Sequence, residues 1–309
     1  MPESSQQVVV GRVRRAAFLV TGRDAGTYLH SQVSNDIMSQ RIGESCQCFV
    51  LEPTGKIDAL IRITKIGDEP TRFLVDVDDI EPALVAARLE RFKIRVQADI
   101  TPVNVEVLAV RAVDRLEDGV VMSTPISESA RNSVADVAQR MTAAVVSSGA
   151  EAWTVPAWWG DGRALDVIIT GSGLSTVPDT LVSGDPTGPH LVTDDVIEAL
   201  RVRCGWPAMG SEIRPGETIP AATGVVSRTV SFTKGCYPGQ ELVERMDSRG
   251  SSAPQSLRIV AGSLLGEVRP GSAIEVDGND VGTVTSVAGG LVLAYVSRSV
   301  SLGVVVGDS

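Results

Sequence analysis

Histidine is almost missing from this chain, with two in 309 residues, and no cysteines are spaced Cys-x-x-Cys. The usual ligand sets for a zinc site are therefore absent. Cysteine itself is sparse. Four residues at irregular positions make no disulfide framework and suit a reducing compartment. Cation is also in short supply: 28 Lys and Arg face 38 Asp and Glu, for a net charge of −10. Phosphate backbones are held by clustered Lys and Arg, so this balance argues against general nucleic-acid binding. The one basic run, Arg12, Arg14 and Arg15, alternates mostly onto one strand face, the pattern of a solvated edge. No apolar run approaches the roughly 18–20 residues of a membrane span. The first twenty residues hold no apolar core flanked by a cleavage site, which leaves a cytoplasmic protein as the expectation. Aromatics are only 4% of the chain, yet Trp153, Trp158 and Trp159 fall within seven residues, as either a stacking platform or a core anchor.

What remains is a mixed-charge, 43% hydrophobic chain long enough for two or three domains. Val8 to Val20 reads as β structure ending at Thr21-Gly22. Asp24 is then placed to cap a helical stretch with Leu29, Val33 and Ile37 on one face, and with His30 as either a ligand-site or a structural histidine. Cys46 to Leu51 and Ala59 to Ile66 read as strands around the turn at Glu52 to Lys56, with Cys46 and Cys48 on the same strand face. Phe73, Val75 and Val77 mark another strand. Asp79 should cap a helix with Leu84, Ala87, Leu89 and Phe92 inside. Val103 to Ala112 is a strand, and Ser127 to Ser148 a helix with Val134, Val137, Met141 and Val145 inward. Ala164 to Thr170 is a strand. Thr193 opens a helix that buries Val196, Ile197 and Leu200 and stops at Gly205. Beyond Gly250-Ser251-Ser252 the texture changes to short apolar runs between turns, the mark of a small β-barrel or sandwich. Strands and helices before that point alternate without a strict βαβ rhythm, which is α+β.

The chain's chemistry concentrates in Ser231 to Arg249, SFTKGCYPGQELVERMDSR. Val230 and Phe232 alternate like a strand end, Gly235 and Pro238-Gly239 supply a turn, and Gln240 to Met246 is a helix with Leu242, Val243 and Met246 on its apolar face. Cys236 sits ahead of that helix and two residues from Lys234. A helix N-terminus and a nearby ammonium both favour thiolate, so this is where a reactive cysteine belongs; packing as a small apolar residue is the competing reading.

Lys234 to Glu241, KGCYPGQE, resembles the K-G-C-[FY]-x-G-Q-E signature of the YgfZ-type folate-binding proteins, relatives of the glycine-cleavage aminomethyltransferase (T-protein) that act in iron–sulfur cluster assembly and repair. Phe18 to Ile37 and Arg201 to Pro220 are similar to two further segments of that family, in the same order. The resemblance is weakest between about 110 and 190. It implies an aminomethyltransferase-like α+β fold: two interleaved α+β domains within residues 1–250, the segment from about 22 to 104 inserted into the first, and a C-terminal β-barrel over 251–309, all around a central channel. It also implies tetrahydrofolate or a derivative as ligand, and iron–sulfur proteins or their assembly machinery as partners.

Carried over residue by residue, the resemblance nominates a small set. Asp58 falls where the T-protein places its catalytic aspartate, although the second Asp of that motif is Ala59 here; an exposed Asp at a hairpin shoulder is the alternative. Arg201 matches an arginine of the T-protein and could meet a glutamate tail, or else form an ordinary surface ion pair. Lys234 could tune Cys236 or meet a ligand carboxylate, Tyr237 could line the pocket wall, and Asp161 is the nearest substitute for an unmatched pterin-holding glutamate. Two functions follow: a folate-binding factor working through Cys236, or an aminomethyltransferase or demethylase working through Asp58. A folate-free scaffold is the third reading.

Overall fold

Period-two burial carries the first half of the molecule into two sheets. The computed structural model describes residues 6–69, 71–78, 82–113, 116–117, 120–121, 127–157, 164–171, 188–248 and 253–307. In chain order these give β1 (Gln7–Val13), β2 (Arg15–Thr21), α1 (Ala25–Gln32), β3 (Ser45–Leu51), β4 (Ile57–Asp68), β5 (Thr71–Asp78), α2 (Pro82–Arg91), β6 (Asp99–Val103) and β7 (Val105–Val113). A short pair, β8 (Leu116–Glu117) and β9 (Val120–Val121), precedes α3 (Glu128–Ser147), β10 (Glu151–Pro156), β11 (Leu165–Thr170), β12 (His190–Leu191) and α4 (Asp194–Arg203). Then come α5 (Val226–Thr229), α6 (Gln240–Ser248), β13 (Gln255–Ala261), β14 (Ala273–Val276), β15 (Asn279–Ala288), β16 (Leu291–Ser297) and β17 (Val304–Val305).

The first sheet runs β10-β11-β7-β1-β12 and the second β3-β4-β5-β2-β6. The chain therefore enters the first sheet at β1, leaves it at Arg14, completes the whole second sheet, and returns at β7. β1 pairs antiparallel with β7 along its length, Gln7 opposite Val113 and Val13 opposite Val107. Alternation on β7 shows how the layers stack. Leu108, Val110 and Ala112 share a cluster with Val134, Val137, Met141 and Val145 of α3. Val107 faces the other way, onto Ala17, Ile66 and Leu74 of the second sheet. Helix, sheet and sheet thus form successive layers.

α3 is capped as its sequence requires, the Ser127 hydroxyl accepting from Ala130 N. α2 differs from expectation. Val85 and Leu89 are its buried residues, while Leu84 and Phe92 are 56% and 37% exposed. Phe92 lies under the Arg88 guanidinium, 4.0 Å from its carbon to the ring centre, so the ring serves as a cation–π surface rather than as core. The C-terminal region, expected as a small β-barrel or sandwich, holds five antiparallel strands in the order β14-β15-β16-β13-β17. α4 joins it through Arg201, described below.

Between the two main sheets lies a layer of charge that the sequence reading did not anticipate. Arg62 is fully buried and meets Asp76 (Nε to Oδ2, 2.9 Å) and Asp166 (Nη1 to Oδ2, 2.6 Å). Arg15 reaches Asp76 at 2.7 Å and also contacts Asp78, while Arg111 of β7 reaches Asp166 at 2.8 Å. Arg15, far from lying on a solvated edge, points inward. Burial alone would raise the Asp76 carboxyl, but Arg62 and Arg15 overturn that and hold it below the ordinary carboxylate value. No helix among the described residues is long and apolar enough to cross a membrane.

Candidate functional site

The signature stretch enters its turn differently from the expected strand. α5 ends at Thr229, and residues 230–239 follow in irregular backbone, with Phe232 43% exposed. The backbone groups of this segment find partners outside any sheet. Ser231 N donates to Ser34 O, and the buried Ser34 hydroxyl donates to Thr229 O at 2.6 Å while accepting from Phe49 N at 2.8 Å. Asn35 Nδ2 adds a bond to Gln47 O at 2.9 Å. Ser34 and Asn35, just past α1, therefore stitch β3 to the signature. Their only sequence signal was a run of small polar residues where the helix stops.

The turn itself needs glycine where it meets the β3–β4 hairpin. Gly239 has φ +78°, and a Cβ there would lie 2.4 Å from Glu52 O. Gly55 opposite has φ +86°, and its Cβ would lie 2.4 Å from Leu242 Cβ. Both positions require the left-handed region and an approach too close for a side chain. Gly235 needs neither, since nothing lies within 4 Å of its missing Cβ.

Lys234 does not turn toward Cys236. Its ammonium donates to the carbonyls of His30 and Val33, the unsatisfied end of α1, where the helix dipole also favours a cation. Burial pulls its pKa down to about 8, against the opposing pull of Cys48, Asp36 and Cys46. His30 stands beside it, Nδ1 3.6 Å from Asp36 Oδ1, and burial together with Lys234 lowers its pKa. Tyr237 is buried in the main core, its ring 5.0 Å from the Lys234 ammonium, and burial pushes its phenol up to about 12. Between these two anchors, Cys236 is exposed. Among the described residues no side-chain hydrogen bond or ion pair holds its sulfur. The four cysteines form no disulfide; Cys48 is buried, Cys46 partly exposed, and Cys204 exposed.

Asp58 opens β4 and is half-buried rather than fully exposed. Arg88 Nε reaches its Oδ2 at 2.9 Å. Burial raises the Asp58 carboxyl, with Arg88 opposing. Arg88 Nη2 donates to Leu51 O, and its Nη1 is buried without a partner among the described residues. A half-buried carboxyl thus lies beside a donor with an unfilled hydrogen bond. Arg88 escaped the sequence reading because its meeting with Asp58 is purely tertiary.

Arg201 is a correction on both counts. It is buried, so it is no surface pair. Its N–H groups go to Glu198, Glu212, the Trp206 carbonyl and Ser286, leaving none for a glutamate tail. It locks α4 to β15 instead. Asp161 lies outside the described residues, as do Asp79, Trp158 and Trp159. The fourth tryptophan, Trp206, is core. Two of the cavities lined by described residues lie against the C-terminal sheet. One, of about 430 Å³, lies between α6 and β17 with Val243, Val306 and Arg298 in its wall. The other, of about 360 Å³, lies beside Glu212, Arg214 and Tyr295. Asp58, Lys234 and Cys236 line neither.

Comparison with known proteins places this architecture. The glycine cleavage system aminomethyltransferase T from Bartonella henselae superposes with a TM-score of 0.70 at 15% identity, over 95% of this chain and 79% of that one. The fold is therefore the α+β aminomethyltransferase fold. By sequence, the chain is 25% identical over 243 residues to the mitochondrial iron–sulfur cluster assembly factor IBA57 homolog of Neurospora crassa, covering 76% of this chain. It spans about half, 49%, of that relative's length. It is 22% identical over 258 residues to the tRNA-modifying protein YgfZ of Shigella dysenteriae, covering 83% of this chain and 72% of that protein. No protein-family model matches. The expected resemblance holds at modest identity: the chain is similar to YgfZ and IBA57 proteins and has the aminomethyltransferase fold.

Proposed function

We propose that this chain is a folate-binding factor that supports iron–sulfur cluster assembly or repair, with Cys236 as its working group. The observation that carries the proposal is the build of the signature turn. Lys234 and Tyr237 are packed away, Gly239 is pinned against the hairpin, and the one side chain left in solvent between them is a thiol. A buried cysteine would serve packing; a displayed one serves something that arrives from outside. The names of the related proteins, an iron–sulfur cluster assembly factor and a tRNA-modifying protein, support the same direction. Partners are then iron–sulfur proteins or their assembly machinery, in the cytoplasm.

Tetrahydrofolate, or a derivative, is the ligand the fold suggests, and Asp58 with Arg88 is the part of the chain that fits it. A half-buried carboxyl and a guanidinium nitrogen lacking a partner match a polar ring edge that both donates and accepts. When bound, a reduced folate supplies a nucleophilic nitrogen that accepts one-carbon units. Asp58 keeps a second reading alive, a folate-dependent aminomethyltransferase or demethylase, because it is a half-buried carboxyl beside Arg88 that can exchange a proton with a bound ligand.

The test is a thermal-shift titration with tetrahydrofolate alongside the activity of an iron–sulfur enzyme in cells carrying only the variant gene. A ligand that binds the native state alone raises Tm with the logarithm of its concentration. Cys236→Ser should keep that shift and lose the cellular activity, whereas Asp58→Asn, whose amide oxygen still accepts a hydrogen bond, should keep both. No shift at saturating folate removes the ligand assignment. Loss of cellular activity in an Asp58→Asn variant that still shows the folate shift transfers the function to the enzyme reading.

A further inference from the structure

Two sulfurs remain unused by this function. Cys46 and Cys48 alternate along β3, so both side chains leave the same face, and their Sγ atoms lie 3.6 Å apart. The two are not equivalent. Cys48 is fully buried, and burial with its neighbour Cys46 pushes its thiol pKa up while the Asn35 backbone and Lys234 oppose. Cys46 is partly exposed on the edge strand of its sheet, its sulfur 3.8 Å from the Asp36 carbonyl. The Lys234 ammonium is electrostatically coupled to both sulfurs. An accessible thiol, a sheltered thiol in contact with it and an adjacent cation are the parts of a two-step thiol oxidation site.

We propose that Cys46 and Cys48 form a peroxide-responsive dithiol that closes reversibly to a disulfide. The Cys46 thiolate attacks one oxygen of a hydroperoxide; the S–O bond forms, the O–O bond breaks, and the departing oxygen leaves as water or alcohol after taking up the thiol's proton. Cys46 is then a sulfenic acid. The Cys48 sulfur attacks the Cys46 sulfur, the S–O bond breaks, and hydroxide leaves as water with the Cys48 proton. Two thiols and one hydroperoxide have become one disulfide and two molecules of water, or one of water and one of alcohol. Residues two apart on a strand stand about 6.6–6.8 Å apart at Cα, the far end of the range a disulfide spans. Closure therefore draws β3 together, and a glutathione-class thiol reopens the bond. The event reaches the signature turn, because it replaces two ionisable sulfurs beside Lys234 by a neutral bridge.

The test treats native protein with hydrogen peroxide, caps remaining thiols with an alkylating reagent under denaturing conditions, and digests with trypsin. Cleavage after Arg41 and Lys56 yields a peptide that contains Cys46, Cys48 and no other cysteine. That peptide should appear unalkylated and lighter by two hydrogens, and should return to the doubly alkylated form after glutathione. Cys48→Ser should halt at a sulfenic acid on Cys46, trapped by dimedone. The wild-type result stands on its own should that variant fold poorly. A peptide that stays doubly alkylated under excess peroxide, or a bridge from either residue to Cys204 or Cys236, overturns the proposal. Folate binding plays no part in this assay, so its outcome is independent of the function proposed above.

Discussion

Between the two main sheets, Arg62, Arg15 and Arg111 are matched against Asp76, Asp78 and Asp166. At the signature turn, Lys234 and Tyr237 are sheltered in the same way, but Cys236 is left in solvent. Both regions bury charge on tertiary contacts between distant parts of the chain. They differ in what is left over. A buried ion network in which every carboxylate meets a guanidinium is a joint, one that fixes how two sheets meet. A turn whose neighbours are locked while one thiol stays outside is a mount. Arg201 belongs with the joints, and its closure by Glu198, Glu212 and Ser286 is why a conspicuous arginine in a ligand-like motif is architectural.

The harshest way to break this comparison is to open the joint. Arg62→Met leaves Asp76 to Arg15 alone and Asp166 to Arg111 alone, and loss of one partner from a buried charge cluster costs up to about 3–5 kcal/mol. Urea denaturation should show a midpoint lowered accordingly. The acid limb adds a signed test. The folded Asp76 pKa lies below its unfolded value, so its contribution is present above pH ~4 and lost as pH falls through the depressed value. Without Arg62 that loss should begin at higher pH. An unchanged midpoint and acid limb would mean the network joins nothing.

Next in size is the seating of the mount. Gly239→Ala adds a Cβ 2.4 Å from Glu52 O at a positive φ, a strain of about 1–3 kcal/mol before any repacking. Gly235→Ala, four residues away and facing open space, should stay within ~0.5 kcal/mol. Thermal melts of the two variants should separate clearly. Equal effects would show that the turn is not held by its contact with the hairpin.

Lys234 sharpens the same contrast through its titration. Its folded pKa of about 8 is below the unfolded value near 10.4, so the unfolded chain keeps its proton longer. Stability should therefore rise with pH between these two values, as the cost of burying the ammonium disappears. Site-resolved acylation of the Lys234 amine should climb through pH ~8. A midpoint at the ordinary lysine value would mean that the amine is solvated and does not cap α1.

Much of this was written locally and could be read locally. α3 follows from Ser127 and the Val134, Val137, Met141, Val145 stripe, and α6 from Leu242, Val243 and Met246, although only Val243 of these is fully buried. Each C-terminal apolar run became a strand. The misreadings share one cause. Val230-Ser231-Phe232 alternates like a strand, but its hydrogen bonds go to Ser34 rather than to a ladder partner. Lys234 is two residues from Cys236 in sequence, yet its ammonium bonds to His30 and Val33 about two hundred residues upstream. Arg15 looked like surface charge, and nothing marked Arg62 or Arg111, because no local pattern announces an ion pair between sheets. Where a partner lies within one element, spacing reveals it; where it lies on another sheet, it does not.

The smallest effect is also the most discriminating. Two cysteines are exposed, and they sit at opposite kinds of helix end. Cys204 is the C-cap of α4, where the helix presents its negative pole, while Cys236 lies four residues ahead of α6, on the positive side. A thiolate is favoured near the positive pole and disfavoured near the negative one, so Cys236 should alkylate a few-fold faster than Cys204 at neutral pH. Cys46 should follow, and Cys48, fully buried, should come last. Because the Lys234 ammonium is turned to α1, Lys234→Met should leave the Cys236 rate nearly unchanged, even as it loosens the helix end. Cys236→Ser, a near-isosteric change at an exposed position, should keep stability within ~0.5 kcal/mol while removing the cellular function. The measurement is alkylation rate at each cysteine, read by mass spectrometry on native protein across a pH series. A Cys236 no faster than Cys204 would leave the turn displaying an ordinary thiol, and the difference between joint and mount would lose its chemical meaning.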